Sequence, residues 1–357
     1  MGPMITALIP TYRRPEYLQR AMKSVLGQSY GNLQLSIFDN ASGDETIDVV
    51  NNLTTNDPRI KYHCHSNNIG ALANFRYAFE RVDTPYFSIL SDDDCLSMDL
   101  YKDAIDILES HPEVMFVILD VLKIDENANL LLCKESTNIL KFYSKIDGFD
   151  EIHSGNIERT WTGMVFRKEV ANVYLEMDDR NDKGHDMRFL FRAASRYNFA
   201  YLSKVGAFFT LHNKSISSKF KNVDLVQQGV RVSRYVEIYF DENVQKDIKD
   251  KALLHIKRHL FLKPNIIYSS QKIVQNILVP SAFGNKKVES DIEDYKYNGY
   301  IKMSIILNYL HNSKIIKILL RIFFARLYSK VLLKNKLKMI SLKNGVYKKN
   351  FDYIKYN

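Results

Sequence analysis

Within the first 120 residues, five short apolar runs alternate with longer amphipathic stretches, and this alternation restricts the fold more than any other feature of the chain. Residues 5–9, 34–38, 60–63, 86–90 and 114–119 have the length and side chains of strands. Between them, residues 15–26, 44–53, 71–81 and 98–110 carry apolar side chains at helical spacing. Strands separated by helices of this length pair in parallel, and such a sheet is covered by helices on both faces. Ligands then bind beyond the carboxyl ends of the strands. The residues that follow each run are therefore the candidate site.

After the first run stands Pro10-Thr11-Tyr12-Arg13-Arg14-Pro15, a loop of hydroxyl, ring and guanidinium groups closed by a proline suited to open a helix. After the second comes Asp39-Asn40-Ala41-Ser42, where a carboxylate can accept from a base edge and Ser42 or Asp44 can cap the next helix. Asn67-Asn68-Ile69-Gly70 follows the third run as a turn, and Arg76 lies on the helix beyond it.

The fourth run enters Ser91-Asp92-Asp93-Asp94 directly. Three adjacent carboxylates at the end of a central strand repel one another and call for a cation. Hard oxygen ligands favour Mg²⁺ or Mn²⁺. An extended backbone would put Asp92 and Asp94 on one side and Asp93 on the other.

With these motifs in order, residues 4–220 resemble the GT-A fold of family 2 glycosyltransferases, the inverting group that builds bacterial polysaccharides. Pro10-Thr11-Tyr12-Arg13-Arg14 is similar to the family's P-T-Y-N-R opening with Arg13 in place of Asn. Asp39-Asn40-Ala41-Ser42 is similar to its base-binding turn, and Asn68-Ile69-Gly70 to its N-x-G turn. Ser91-Asp92-Asp93-Asp94 corresponds to its D-x-D region, with Ser91 replacing the first Asp. Trp161-Thr162-Gly163-Met164-Val165-Phe166 resembles a small-residue strand on the acceptor side. His185-Asp186 falls where the family has its E-D pair, and Phe208 through His212 resembles the strand whose His reaches metal or diphosphate.

The resemblance implies an α/β fold of Rossmann-like GT-A type, with a mainly parallel sheet and helices on both faces. It implies transfer of a sugar, with inversion, from a nucleotide-diphosphate donor, UDP first, to a hydroxyl of a glycan or lipid-linked glycan in cell-surface polysaccharide. Asp186 is then the base. Pro10, Thr11, Tyr12, Arg14, Asp39, Asn68, Arg76, Asp92 and Asp93 line the nucleotide sugar, and Asp94, Asp92 and His212 hold Mn²⁺ or Mg²⁺.

Charge divides the chain. Residues 1–220 carry 24 Lys+Arg against 30 Asp+Glu, a net of −6, and residues 221–357 carry 26 against 11, a net of +15. This asymmetry predicts a GT-A domain at 4–220 and a helical basic module at 221–357, and it argues against a uniformly cationic nucleic-acid binder. Residues 301–350 contain no Asp or Glu. No uncharged run there approaches the ~20 residues that span a bilayer, so the tail reads either as a peripheral anionic-membrane contact or as packing against the catalytic domain or a second subunit. Cys64, Cys95 and Cys133 lie far apart without metal spacing, and the chain start lacks secretory features, so a cytoplasmic protein, peripheral to the inner membrane on the first tail reading, is expected. A nucleotidyltransferase would share the layout and the metal, but its Gly-rich phosphate loop is missing after the first strand.

Overall fold

The computed structural model describes residues 2–54, 57–132, 136–157, 159–177, 184–212, 234–235, 237–239 and 241–262. Its strands are β1 (Ile5–Thr11), β2 (Leu33–Asp39), β3 (Ile60–Cys64), β4 (Tyr86–Ile89), β5 (Cys95–Leu96), β6 (Val114–Ile124), β7 (Leu130–Leu132), β8 (Leu140–Tyr143), β9 (Met164–Arg167) and β10 (Asn198–Thr210). The helices that accompany them are α1 (Pro15–Leu26), α2 (Thr46–Thr54), α3 (Ala71–Phe79), α4 (Leu100–Ser110), α5 (Lys145–Ser154), α6 (Ala171–Leu175) and α7 (His185–Arg196). All ten strands form one sheet in the order β3-β2-β1-β4-β9-β6-β10-β5, with β7 added to β6 and β8 to β10.

The expected parallel core is present: β1 pairs in parallel with β2 and β4, β2 with β3, and β6 with β10. Between β4 and β6 stands β9, antiparallel to both. Period-two alternation sorts the side chains onto two faces. Ile5, Ala7 and Ile9 of β1 with Leu33, Leu35 and Ile37 of β2 pack against Leu18, Met22 and Val25 of α1 and Leu100, Ile105 and Leu108 of α4. On the other face an aromatic layer joins Phe79 of α3, Phe87 of β4, Phe166 of β9, Tyr174 of α6 and Phe189 of α7, with Phe79 and Tyr174 stacked at 4.0 Å. Aromatic burial of this kind provides much of the adhesion between helices and sheet.

Two boundaries differ from expectation for visible reasons. The helix expected at 98–110 begins at Leu100, because Cys95–Leu96 pair antiparallel with Ala207 and Phe208 of β10. The strand expected over 161–166 is shorter: Trp161–Gly163 form a 3₁₀ turn and only Met164–Arg167 are extended. A Cβ on Gly163 would lie 2.9 Å from the Leu119 carbonyl oxygen, so this close approach requires glycine.

The described residues fall in two compact units, residues 2–212 and residues 234–262. The second contains α8 (Lys246–Leu262), with Ile248 and Ala252 buried and His255 stacked on Tyr235 at 5.2 Å. The acid-free stretch 301–350 lies outside the described residues. Among those residues, no helix is long and apolar enough to cross a membrane.

Candidate active site

The three carboxylates after β4 do not alternate, because the backbone turns there: the Asp94 N–H donates to the Ser91 carbonyl at 3.1 Å. Each carboxylate meets a different environment. Asp92 is buried and accepts from Thr11 Oγ1 at 2.8 Å and Arg14 Nη1 at 3.0 Å. Burial pushes its carboxyl up to about 6, against the pull of Arg14. Asp93 Oδ2 sits 2.9 Å from both Arg14 Nη1 and His212 Nε2.

Asp94 has no exposed surface, and each of its oxygens accepts one bond from the core: Oδ1 from the Thr210 N–H at 2.8 Å and Oδ2 from Thr162 Oγ1 at 2.7 Å. Burial, with the neighbouring Asp93 charge, holds its carboxyl well above the usual range. Asp94, expected to lead the metal ligands, joins the 3₁₀ turn and the end of β10 to the carboxylate run and presents no exposed surface. The carboxylate beside His212 is Asp93, which was expected on the nucleotide sugar. Asp92, expected in both roles, is committed to Thr11 and Arg14.

Helix α1 supplies the counter-charges. Arg14 immediately precedes Pro15; burial works against its charge, but Asp92 and Asp93 outweigh this and raise its pKa. Three residues on, the Tyr17 ring stacks on the His212 imidazole with centroids 4.8 Å apart. Three further, Arg20 Nη2 donates to the Asp93 carbonyl at 2.9 Å and to Thr210 Oγ1 at 2.7 Å. Sequence reasoning missed Tyr17 and Arg20, although their i+3 and i+6 spacing from Arg14 puts all three on one stripe of the helix.

The departure at Arg13 is also explained. Its φ is 54°, a left-handed conformation that Asn adopts more readily than Arg. Two bonds to Ser42 hold it there, from the Arg13 N–H to Oγ at 2.9 Å and from Arg13 Nε to the carbonyl at 3.1 Å.

The wall beyond the carboxyl ends of β2 and β3 is built from groups that bind one another. Asp39, 2% exposed, accepts from the Ser42 N–H and hydroxyl through Oδ1, and from the Tyr62 hydroxyl at 2.6 Å and Cys64 Sγ at 3.5 Å through Oδ2. The thiol is the weakest of these donors and the one a base N–H can replace. Asn68 Oδ1 accepts from Asn40 Nδ2 and the Gly70 N–H, which fixes the loop after β3 to the loop after β2. Pro10 is buried at the end of β1, and Tyr12 is 38% exposed at the rim.

Arg76 is elsewhere. Its guanidinium, expected near the phosphates, donates to the carbonyls of Leu175 and Met177 and so closes the carboxyl end of α6. Asp186 stands in the first turn of α7, where a carboxylate suits the helix dipole. Its neighbour His185 packs on Phe75 at 4.9 Å and on Trp161 at 5.3 Å. Trp161 adjoins Thr162, so α7 is one ring contact from the turn that seats Asp94.

Among the described residues, a carboxylate oxygen and an imidazole nitrogen, a donor pair that suits a hard divalent ion, converge at Asp93 and His212. The His212 side chain has no exposed surface, and its Nδ1 has no hydrogen-bond partner among the described residues. Those residues contain no cluster of three or more His, Cys, Asp or Glu able to hold a metal, so any ion there takes its remaining ligands from diphosphate and water.

This geometry coincides with similarity to known proteins. Residues 6–175 match Glycosyl transferase family 2. That segment is a family 2 domain, and the chain is a glycosyltransferase with the GT-A fold. It is 25% identical over 219 residues to TuaG of Bacillus subtilis strain 168, a glycosyltransferase named for teichuronic acid biosynthesis, covering 60% of this chain and 82% of that one. Among solved structures it resembles residues 1–349 of S. aureus TarS in complex with UDP-GlcNAc, with a TM-score of 0.59, 16% identity and coverage of 74% and 75% of the two chains. It also resembles the mannosyltransferase PcManGT from Pyrobaculum calidifontis in complex with GDP-Man and Mn²⁺, with a TM-score of 0.51, 14% identity and coverage of 87% and 85%.

Proposed function

We propose that the chain transfers a sugar from a nucleoside diphosphate donor, with UDP-sugars the first choice, to a hydroxyl of a bacterial cell-surface glycan or its lipid-linked precursor, with inversion. The observation that carries this reading is the meeting of Asp93, Arg14 and His212 at the carboxyl ends of β4 and β10 in a family 2 domain. Leaving diphosphate gains negative charge as the glycosidic bond breaks. When bound at Asp93 and His212, Mn²⁺ or Mg²⁺ supplies Lewis-acid stabilisation of that charge. Arg14 adds a guanidinium beside the same carboxylates. Asp39, through the bond now made by Cys64, receives the base, while Asn68 and Tyr12 shape the loops around it.

On the acceptor side Asp186 takes the proton of the attacking hydroxyl as the new bond forms, a role that suits a carboxylate held at a helix start. The resemblance and the place of α7 beside the 3₁₀ turn support this. Thermal shift with UDP- and GDP-sugars, with and without Mn²⁺, followed by assignment of the product anomer, tests the reading. A Mn²⁺-dependent shift with one donor and an inverted anomer is expected; a retained anomer contradicts it. The basic charge of residues 221–357 supports a second element, reversible attachment to an anionic membrane face, with each Lys or Arg near the surface worth about 1 kcal/mol.

A further inference from the structure

Arg20 touches neither of the side chains at the proposed metal corner, yet it connects both segments that carry them. From α1 its Nη2 donates to the main-chain oxygen of Asp93 at 2.9 Å and to the side-chain oxygen of Thr210 at 2.7 Å. Its Nη1 reaches the Glu126 carbonyl, in the turn between β6 and β7, at 3.3 Å. Asp93 lies in the turn after β4, and His212 lies two residues beyond Thr210. The turn after β4 runs directly into β5, whose Cys95 and Leu96 pair with Phe208 and Ala207 of β10, so the sheet already joins the two segments as far as Phe208. That ladder ends at Cys95 and Phe208, two residues short of Asp93 and of Thr210, and leaves the spacing beyond it to side-chain contacts.

Two cross-links extend the join beyond the ladder. One is Asp94, whose Oδ1 accepts from the Thr210 backbone N–H at 2.8 Å. The other is Arg20, which grips the carbonyl of residue 93 and the hydroxyl of residue 210 with a single nitrogen. The first sets the backbone of Thr210 against the carboxylate run, and the second sets the carboxylate run and Thr210 against α1. The same helix places Tyr17 on the His212 ring, so the corner is referenced to one rigid element.

We propose that Arg20 is a positioning residue for sugar transfer, one that keeps Asp93 and His212 at the spacing a diphosphate-bound cation requires. This rests on the reading of Asp93 and His212 as the cation corner. A planar guanidinium offering several donors in fixed geometry suits the task, and an ammonium does not reproduce it. Groups that orient metal ligands without touching the metal typically change metal affinity or activity about 10–100-fold when removed.

The test measures Mn²⁺ affinity in the presence of UDP, and turnover, for the full chain and for Arg20→Ala, Arg20→Lys, Thr210→Val and the Arg20→Ala/Thr210→Val pair. Thr210→Val removes the hydroxyl and leaves the backbone N–H on Asp94. The expected result is a loss of about 10-fold or more in Mn²⁺ affinity and in kcat for Arg20→Ala, with KM for donor changed less. Thr210→Val shows a smaller loss, the double variant is no worse than Arg20→Ala, and added guanidinium partly restores Arg20→Ala but not Arg20→Lys. Wild-type Mn²⁺ affinity and kcat in Arg20→Ala, or losses in the two single variants that simply multiply, overturn the proposal. If the wild-type chain shows no Mn²⁺ effect, the cation corner itself fails, and the coupling between Arg20 and Thr210 in kcat still decides whether Arg20 positions Asp93.

Discussion

Asp93 and Asp94 are adjacent in sequence, yet they belong to two regions with opposite chemistry. Around Asp93, Arg14 and His212 converge on one carboxylate oxygen at the edge of a site. Beneath it, Asp94 is sealed in the core with a hydroxyl and a backbone N–H as partners and no cation among them. The first region concentrates charge for a ligand, whereas the second spends a carboxyl on joining a turn to a strand. A run of acidic residues therefore cannot be assigned to a metal as a block.

The largest effect expected on the active region lies across the site. Asp186→Asn removes a proton acceptor without changing shape, so turnover should fall roughly 10²–10⁴-fold while donor affinity stays within about twofold. Initial rates and UDP titrations check this, and collapse of donor binding would make Asp186 structural.

Next, Asp94→Ala should destabilise the fold, because the Thr210 N–H and the Thr162 hydroxyl lose their acceptors in the interior. About 1–3 kcal/mol is expected for the stranded donors, read as a lower midpoint in urea with the slope unchanged. Arg76→Ala should cost about 1–3 kcal/mol by the same measurement, since the carbonyls of Leu175 and Met177 lose a charged donor, with UDP affinity unaltered. A fall in UDP affinity at wild-type stability would return Arg76 to the phosphates. The smallest effect is Asp94→Asn. Its amide oxygen can accept from Thr210 and its amide N–H₂ can donate to the Thr162 hydroxyl, so stability within about 1 kcal/mol of wild type is expected.

Much of the fold was legible because its signals are local. The runs at 5–9, 34–38, 60–63 and 86–90 became β1 to β4, and Pro15 opened α1. The interleaving of β9 between β4 and β6 was not legible, since antiparallel insertion depends on contacts far apart in sequence. In the candidate site, the order of motifs pointed to Asp39, Asn68, the carboxylate run and His212, but not to the side chains that bond them. The core contacts of Asp94 were not legible because a turn, marked by one backbone hydrogen bond to Ser91, replaced an extended strand. The bonds of Arg76 were not legible because a guanidinium on a helix near a loop looks alike whether it faces phosphate or the end of another helix. Arg20 carried no motif, and its role comes from two segments 117 positions apart, at Asp93 and Thr210.

The central claim is that Asp93, and not Asp94, holds the cation that assists the diphosphate. Calorimetric titration of Mn²⁺ into the UDP-saturated chain, run in parallel on wild type, Asp93→Asn and Asp94→Asn, tests it most directly. The account predicts that Asp93→Asn loses at least about tenfold in Mn²⁺ affinity, because an amide is a poorer ligand for a hard cation, while Asp94→Asn stays close to wild type. Equal losses in the two variants, or a loss confined to Asp94→Asn, would contradict it.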